Sequence, residues 1–176
     1  MQRLLLVDDE VNVLSALVRA LRQQFAVSEV HIETFSDPYQ ALARCCECDF
    51  DIVISDQRMP AMTGVEFLHA LKEVAPATVR MMLSASTEFD TVASAIADAQ
   101  VFRYIAKPWT IEALRRDIEA AMGQRATLLQ EQALASAQRR HNDAQVSAPE
   151  QAAAELEHEE PGITQVKWGP NGEILL

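Results

Sequence analysis

Glycine, aromatic residues and positive charge are all scarce in this sequence. Among 176 residues there are 5 glycines, 6% aromatic residues, and 15 Lys and Arg against 26 Asp and Glu, which gives a net charge of -11. No cluster of Lys or Arg is larger than a pair. Non-specific binding to nucleic acid depends on basic residues that neutralise phosphates, so the composition argues against direct DNA binding.

Long apolar runs are also missing. The N-terminal run Leu4–Val7 stops at Asp8 and Asp9, and no other run approaches the roughly 18 residues of a membrane span. Hydrophobic residues still make up 49% of the chain, which is ample for a folded core. We therefore expect a cytoplasmic protein with one ordinary domain, an extension, and no association with membranes.

Cysteine is confined to one short stretch, at Cys45, Cys46 and Cys48. The first and last of these have the Cys-x-x-Cys spacing, which could indicate a redox or metal site. Such a site would need a second cysteine pair or a nearby histidine, and the sequence supplies neither. The spacing favours small apolar side chains on a helix.

An acidic residue ends each of two apolar runs. Ile52–Ile54 has the pattern of a strand buried on both faces of a parallel sheet, and Asp56 falls at its carboxyl end. Leu4–Val7 is followed in the same way by Asp8 and Asp9. This edge is where open α/β sheets bind ligands. Because carboxylates gathered there repel one another, they predict a hard divalent cation, and Mg²⁺ is the natural candidate.

Two further strand ends carry groups that suit a phosphoryl site. Ser84 closes the predicted strand Val79–Leu83, and Lys107-Pro108 closes the strand predicted at Phe102–Ile105. A hydroxyl and an ammonium group beside a metal-bound carboxylate can bind the oxygens of a transferred phosphoryl group. The four strand ends together therefore indicate phosphoryl chemistry.

Four separated motifs resemble the receiver domain of bacterial two-component response regulators. They are Leu-Val-Asp-Asp-Glu at 6–10, Ser-Asp-x-x-Met-Pro-x-Met-x-Gly at 55–64, Leu-Ser-Ala at 83–85, and Tyr-Ile-Ala-Lys-Pro-Trp at 104–109. The resemblance covers residues 1–122. It implies a flavodoxin-like, doubly wound parallel sheet of five strands in the order 2-1-3-4-5. It also implies a phosphorelay protein that receives its phosphoryl group from a sensor histidine kinase or a phosphotransfer protein.

The resemblance assigns roles in phosphoryl transfer to four residues. Asp56 would be the phosphoacceptor, and Ser84 and Lys107 would bind the phosphoryl oxygens. Tyr104 would be a switch aromatic that turns inward when Ser84 moves toward the phosphoryl group. The bond between Lys107 and Pro108 is expected to be cis.

The resemblance also implies a metal set and two tuning positions. Asp9 and Asp56 would bind Mg²⁺ directly, together with the backbone carbonyl of Arg58. Asp8 would act mainly through water, and Mn²⁺ should substitute for Mg²⁺. Arg58 and Ser86 occupy the positions that tune the lifetime of the acyl phosphate in this family.

Helical periodicity follows each predicted strand. Apolar stripes begin at Leu14, Ala41, Val65, Val92 and Ile111. Five strands that alternate with five helices through right-handed crossovers form a three-layer α/β fold.

The C-terminal third has a different composition. Residues 123–147 are mostly good helix formers, so the last helix is predicted to continue, with a break at Pro149 and an acidic linker to residue 160. Residues 161–176 are predicted to form a β-hairpin that serves as a docking element. The predicted divisions are thus 1–122, 123–160 and 161–176. The heptad pattern of the extension is poor for a long coiled coil, and a homodimer is one of the two alternatives that the sequence leaves open, beside a monomer.

Nothing after Met122 resembles a DNA-binding or catalytic domain, so we expect output through contacts with an unknown effector protein. The chain would be a phosphoacceptor that catalyses its own phosphotransfer and dephosphorylation, not a metabolic enzyme. One alternative is a Mg²⁺-dependent phosphatase of the haloacid dehalogenase type, which would require an Asp-x-Asp motif and a cap domain. Another is a degenerate receiver used only for docking, against which the complete set of site residues argues.

Overall fold

The computed structural model describes residues 1–85, 99–159, 167–168 and 174–175, with the backbone alone for 141–157, 159, 167–168 and 174–175. Strands and helices alternate along the chain. They are β1 (Gln2–Val7), α1 (Val11–Gln24), β2 (Val30–Phe35), α2 (Pro38–Glu47), β3 (Ile52–Asp56), α3 (Gly64–Val74), β4 (Val79–Ala85), β5 (Arg103–Lys107), α4 (Ile111–Glu159), β6 (Lys167–Trp168) and β7 (Ile174–Leu175). The helix predicted around Val92 and the tuning position Ser86 lie outside the described residues.

Strands β1 to β5 form one parallel sheet in the order β2-β1-β3-β4-β5. This confirms the predicted doubly wound arrangement. Val7 at the end of β1 lies beside Ser55, and Asp56 at the end of β3 lies beside Leu83 of β4. The carboxyl ends of β1, β3 and β4 therefore meet at one edge, where the chain reverses its winding direction.

Apolar side chains cover both faces of the sheet. Leu4 and Ile52 point into one cluster with residues of α1 and α4, whereas Leu5 and Val53 point into a second cluster with residues of α2 and α3. Successive side chains of a strand face opposite ways, so one strand supplies both clusters. Burial on both faces explains why these strands are continuous apolar runs in the sequence.

The three cysteines lie at the end of α2 and differ in exposure. All are free; Cys45 is buried, Cys46 is exposed and Cys48 is intermediate. Burial raises the pKa of the Cys45 thiol to about 12. The Cys48 sulfur accepts a hydrogen bond from the Arg3 guanidinium at 3.3 Å. Among the described residues, no group of three or more His, Cys, Asp and Glu side chains could hold a metal ion.

A buried ion pair joins α4 to the opposite, amino edge of the sheet. Arg125 is 8% exposed, and its Nε donates to Asp51 Oδ1 at 3.1 Å. The other carboxylate oxygen of Asp51 accepts from the backbone N–H of Arg3 at 2.7 Å. Arg125 thus attaches α4 to the loop that precedes β3.

The last helix is longer than the sequence predicts. It continues through Pro149 to Glu159, so the prediction of a break at Pro149 is wrong. Proline removes one backbone hydrogen bond and crowds the preceding turn, but the Ala, Gln and Glu residues around it favour the helix. The first compact unit of the chain, Met1–Gln130, includes the start of this helix beyond the predicted boundary at 122.

The second compact unit, Glu131–Leu176, contains the rest of α4 and an antiparallel pair of short strands. In that pair, Lys167 lies beside Leu175 and Trp168 beside Ile174. The pairing confirms the predicted hairpin in its described part, and the rest of the predicted strands lies outside the described residues. None of the described helices has the length and apolar character needed to cross a membrane.

Candidate functional site

Two carboxylates stand at the carboxyl ends of β1 and β3. Asp56 is the last residue of β3, and Asp8 follows β1 directly. Only 1% of Asp8 and 6% of Asp56 is exposed. The N–H of Asp8 donates to the Phe35 carbonyl at 3.2 Å, which extends the pairing of β1 with β2 and fixes Asp8 at the edge. The sheet therefore holds two buried acidic groups close together.

One ammonium group joins these two carboxylates. Lys107 is the last residue of β5, and its Nζ donates to Asp8 Oδ2 at 2.9 Å and also to Asp56 Oδ1. The Lys107–Pro108 peptide bond is cis, as the resemblance implies. Because β4 separates β5 from β3, the lysine side chain passes the end of β4 to reach both acids. Three residues far apart in sequence thus form one charged cluster.

Burial and charge act against each other in this cluster. Burial raises the pKa of Asp8 above its ordinary value of 3.8, and the hydrogen bonds from Lys107 and from the Glu10 N–H only partly offset it. Burial also acts to lower the pKa of Lys107, but its hydrogen bonds to Asp56 and Asp8 outweigh burial and raise it. One positive charge therefore serves two acids, and the cluster retains an affinity for additional positive charge.

The loop after Asp56 is held by its own backbone. The N–H of Arg58 donates to Asp56 Oδ2 at 2.7 Å, and the N–H of Gly64 donates to the Gln57 carbonyl at 2.9 Å. Thr63 and Glu66 form a capping box that starts α3 immediately beyond the loop. These contacts fix the orientation of the Asp56 carboxylate.

Gly64 allows α3 to approach the acidic residue closely. A Cβ atom at this position would overlap the Asp56 carbonyl oxygen and lie 2.9 Å from the Asp56 carbonyl carbon and 3.0 Å from Gln57 Cα. Distances this short are not available to a real Cβ atom, because the facing atoms belong to backbone that cannot turn aside. A side chain at 64 would therefore displace Asp56.

Ser84 and Tyr104 lie on the neighbouring strands β4 and β5. Ser84 is 2% exposed and lies beside Ala106, next to Lys107. Its Oγ is hydrogen-bonded to Gln57 Oε1 and lies 3.1 Å from the Ala85 carbonyl oxygen. Tyr104 is half-buried against the second core cluster, and burial raises its pKa to about 12.

Residues 4–119 match the family described as the response regulator receiver domain. The chain belongs to this family. The matched range contains all four motifs and the cluster of Asp8, Asp56 and Lys107, so the haloacid dehalogenase alternative no longer applies. The receiver assignment made from the motifs is confirmed.

Named relatives agree with this assignment. The chain is 35% identical over 120 residues to the hydrogenase transcriptional regulatory protein HoxA of Cupriavidus necator, and the match covers 66% of the chain but 24% of that protein. The receiver thus spans about a quarter of that relative. A receiver domain protein from Clostridium thermocellum superposes with a TM-score of 0.64 at 25% identity, covering 73% of this chain and 99% of that one. The signal receiver domain of an HD domain-containing protein from Pseudomonas fluorescens Pf-5 gives 0.65 at 26% identity, with coverage of 72% and 90%.

Receiver domains generally bind Mg²⁺ for phosphorylation. The residues of this receiver fit such an ion, because Asp8 and Asp56 are hard oxygen donors and the buried charge of Asp8 is only partly compensated. Asp9 is exposed. Among the described residues, the side chains of Asp8, Asp9 and Asp56 do not form a group of three that could hold one metal ion. Its role as a ligand remains a prediction, as does that of the Arg58 carbonyl.

The structure brings together Asp8, Asp56 and Lys107, with Ser84 on the adjoining strand. Sequence reasoning missed two contributors to this receiver site. Gly64 was part of a quoted motif, and a glycine at the start of a helix beside an acidic loop could have indicated a close backbone approach. Gln57 gave no comparable signal, because an amide in a loop is usually solvated.

Asp8→Asn is expected to stabilise the metal-free receiver while weakening Mg²⁺ binding. The substitution removes a buried charge and one of two acids that share Lys107, which should raise the free energy of unfolding by roughly 1–2 kcal/mol at neutral pH. The folded state takes up a proton on Asp8 more readily than the unfolded state, so the penalty in the wild type shrinks as pH falls toward 3.8.

Chemical denaturation at several pH values, with and without Mg²⁺, measures both effects. The stability difference between Asp8→Asn and the wild type should be greatest at neutral pH and should fall in acid. A variant that is less stable than the wild type at neutral pH without Mg²⁺ would contradict the argument from burial.

Proposed function

We propose that this chain is a phosphorylation-activated response regulator of a two-component phosphorelay, with Asp56 as the phosphoacceptor. The observation that carries the proposal is the contact of one ammonium group, Lys107 Nζ, with the carboxylates of both Asp8 and Asp56. Ser84 lies one strand away with its hydroxyl buried. Phosphoryl transfer requires a positioned nucleophile and cationic or hydroxyl groups around the transferred oxygens, and these residues supply them.

The proposed transfer uses Asp56 as the nucleophile. A carboxylate oxygen would attack the phosphorus of a phosphohistidine, so that an O–P bond forms, the N–P bond breaks, and the leaving imidazole nitrogen takes up a proton. The N–H of Arg58 and the ammonium of Lys107 each hold one carboxylate oxygen, which orients the nucleophile beforehand. In the product, Lys107 and Ser84 would bind phosphoryl oxygens.

The metal would be held by the acidic edge. Asp56, Asp9 and the backbone carbonyl of Arg58 are the proposed direct ligands for Mg²⁺ or Mn²⁺, and Asp8 would act through water. When bound, the ion would supply positive charge to the phosphoryl oxygens. Lys107 has the complementary task of offsetting the charge of Asp8 and Asp56 where no ion is present.

Two neighbours of the site would set the lifetime of the acyl phosphate. Arg58 is exposed at the mouth of the site, where its long side chain could limit the access of water. Ser86 belongs to the segment outside the described residues, so its role rests on the family resemblance. The same site would catalyse both phosphotransfer and dephosphorylation.

The proposed output passes through protein contacts in the cytoplasm, to an unknown effector or a second copy of the chain. Receiver domains interact with histidine kinases or phosphotransfer proteins. The relative HoxA is named a transcriptional regulatory protein, but this chain matches 24% of it, so a DNA-binding output is not carried over. The acidic balance of 26 Asp and Glu to 15 Lys and Arg supports contacts with proteins over contacts with DNA.

Transfer from a radiolabelled phosphohistidine kinase tests the proposed function. A panel of autophosphorylated sensor kinases and phosphotransfer proteins is mixed with the full chain and Mg²⁺, and transfer within seconds from at least one donor is the expected result. Failure of every donor, together with failure of acetyl phosphate, would leave docking by a degenerate receiver as the function.

Phosphorylation is expected to shift the receiver on the side of β4 and β5. Ser84 lies beside Ala106, and Tyr104 lies beside Met82 on the same pair of strands. If Ser84 moves toward the phosphoryl group, Tyr104 can turn inward, which favours one of two pre-existing conformations. Beryllofluoride with Mg²⁺ should therefore change amide hydrogen exchange over residues 84–109.

Asp56→Asn is the matched control for this exchange experiment, because it removes the oxygen to which beryllofluoride binds. The variant should show no response to the mimic. A wild-type response confined to the loop after Asp56 would mean that phosphorylation is read only locally, and would exclude the proposed switch.

The C-terminal hairpin is expected to be a docking element. Trp168 and Ile174 lie opposite one another in the two strands, and the sequence closes with Ile174-Leu175-Leu176. A lone two-stranded hairpin is marginal in water, and these side chains would need a cover on the receiver, on a second copy, or on an effector. Truncation after Glu160 should weaken self-association or effector binding while leaving phosphorylation intact.

Trp168→Ala should reproduce the effect of the truncation. Fluorescence of Trp168 can be isolated in a Trp109→Phe background, where a docked indole emits at shorter wavelength than a solvated one. Sedimentation and pull-down of the phosphorylated chain complete the comparison. Unchanged partners and oligomeric state in both variants, with a solvated Trp168 throughout, would show that the hairpin does not dock.

A further inference from the structure

The side-chain amide of Gln57 accepts a hydrogen bond from the hydroxyl of Ser84, the proposed switch residue. Ser84 Oγ is hydrogen-bonded to Gln57 Oε1, and the Ala85 carbonyl oxygen is a second acceptor at 3.1 Å. A serine hydroxyl has one proton and donates to one acceptor at a time. A phosphoryl oxygen would therefore have to compete with Gln57 for this proton.

The backbone of Gln57 is anchored on two sides. Its N–H donates to the Leu83 carbonyl at 3.0 Å, and its carbonyl accepts from the Gly64 N–H at 2.9 Å. Leu83 precedes Ser84 on β4 and pairs with Asp56 in the sheet. Because both backbone polar groups of Gln57 are hydrogen-bonded, the sheet and α3 hold its main chain beside Ser84. From this position its side-chain amide reaches the Ser84 hydroxyl.

We propose that Gln57 is a latch that holds Ser84 in the unphosphorylated conformation, so that Gln57 sets how readily the receiver switches. The inference rests on the proposed function and extends it to a positioning residue. Hydrogen bonds to a charged acceptor are about twice as strong as those between neutral groups. A phosphoryl group on Asp56 would offer Ser84 such an acceptor, and the neutral amide of Gln57 would lose the proton to it.

As a hydrogen-bond acceptor, the amide of Gln57 has a strength that suits reversible release of Ser84. A carboxylate at position 57 would hold the Ser84 proton with charge of its own and would also repel the phosphoryl group on the adjacent Asp56. An apolar side chain would leave Ser84 without this acceptor in the resting receiver. Gln57 lies between these extremes, which is the property that a reversible latch requires.

Two substitutions separate the latch from a simple structural role. Gln57→Met keeps the length of the side chain but removes the acceptor, and it should tighten binding of beryllofluoride with Mg²⁺ by roughly 2- to 10-fold, the value of one neutral hydrogen bond. Gln57→Glu should weaken that binding. Gln23→Met, at an exposed position of α1, is the control for a change from amide to thioether.

The double variant with Ser84→Ala tests whether Gln57 acts through the Ser84 hydroxyl. If Gln57 acts through the Ser84 hydroxyl, Gln57→Met should have no effect on beryllofluoride affinity once Ser84 is alanine. In the wild-type background without metal or mimic, Gln57→Met should also speed amide exchange at residues 83–85. This second measurement reports on the contact independently of phosphoryl chemistry.

The outcomes distinguish a failure of the latch from a failure of the function. The latch is excluded, and the phosphoacceptor function stands, if the wild type and Gln57→Met bind beryllofluoride equally well. The same conclusion follows if Gln57→Met raises beryllofluoride affinity as much in the Ser84→Ala background as in the wild type. If the wild type does not bind beryllofluoride under any Mg²⁺ concentration, the phosphoacceptor function fails and the latch is excluded with it.

Discussion

Replacing Asp56 by Asn is expected to abolish covalent phosphorylation without unfolding the domain. Wild-type chain incubated with acetyl phosphate and Mg²⁺ should gain the mass of one phosphoryl group, whereas Asp56→Asn should gain none. The amide is nearly isosteric, but its single oxygen can accept from Lys107 or from the Arg58 N–H and not from both, so the loop keeps one of its two supports. The loss would therefore be chemical, because an amide oxygen is a poor nucleophile.

Asp49→Asn is the matched control, since Asp49 is an exposed carboxylate that precedes the amino end of β3. It should be labelled like the wild type. Intact mass spectrometry and peptide mapping after trapping of the acyl phosphate decide between the variants. Equal labelling of the wild type and Asp56→Asn would refute the assignment of the nucleophile, and labelling of neither would favour the degenerate receiver.

Gly64→Ala is expected to destabilise the domain and to slow phosphorylation together. The added methyl group overlaps the Asp56 carbonyl oxygen, and either α3 or the end of β3 must move. Overpacking of this kind costs about 1–3 kcal/mol of unfolding free energy. A displacement of the nucleophile of even a fraction of an ångström should reduce the rate with acetyl phosphate on the order of 10- to 100-fold.

Gly123→Ala makes the same chemical change where there is room for it. A Cβ at position 123 has no neighbouring atom within 4 Å, and the residue lies inside α4. This substitution should stabilise the domain by about 0.5–1 kcal/mol, because alanine favours helix, and should leave the phosphorylation rate unchanged. If Gly64→Ala retained both wild-type stability and wild-type rate, the close approach of α3 to Asp56 would not be required.

Much of the fold was predictable because burial on two faces leaves a strong pattern. The runs ending at Val7 and Ile54 have no polar residue to orient them, which indicates a central parallel strand and not an edge. The order of the strands came from the family resemblance, since periodicity alone does not order them. Pro149 misled the prediction because a local rule about proline does not weigh the helix formers on both sides.

The site residues that belong to the family motifs could be predicted from the sequence. Asp8, Asp56 and Lys107 could be named before their contacts were known, because each is a charged residue at a strand end. The contacts among these three residues could not be predicted from the sequence. Only the structure shows that Lys107 forms ion pairs with both acids. Gln57 was missed for the same reason, since its importance lies in the atom that it faces.

The three cysteines at the end of α2 provide a built-in chemical probe of local opening. Cys46 is exposed and should alkylate promptly, whereas Cys45 is buried with a thiol pKa of about 12, so its thiolate is negligible at neutral pH. Alkylation of Cys45 therefore requires α2 to separate from the sheet, and its rate measures the free energy of that separation. A thiol-alkylation assay on this sequence would then report how firmly the helix is attached, with no engineered cysteine.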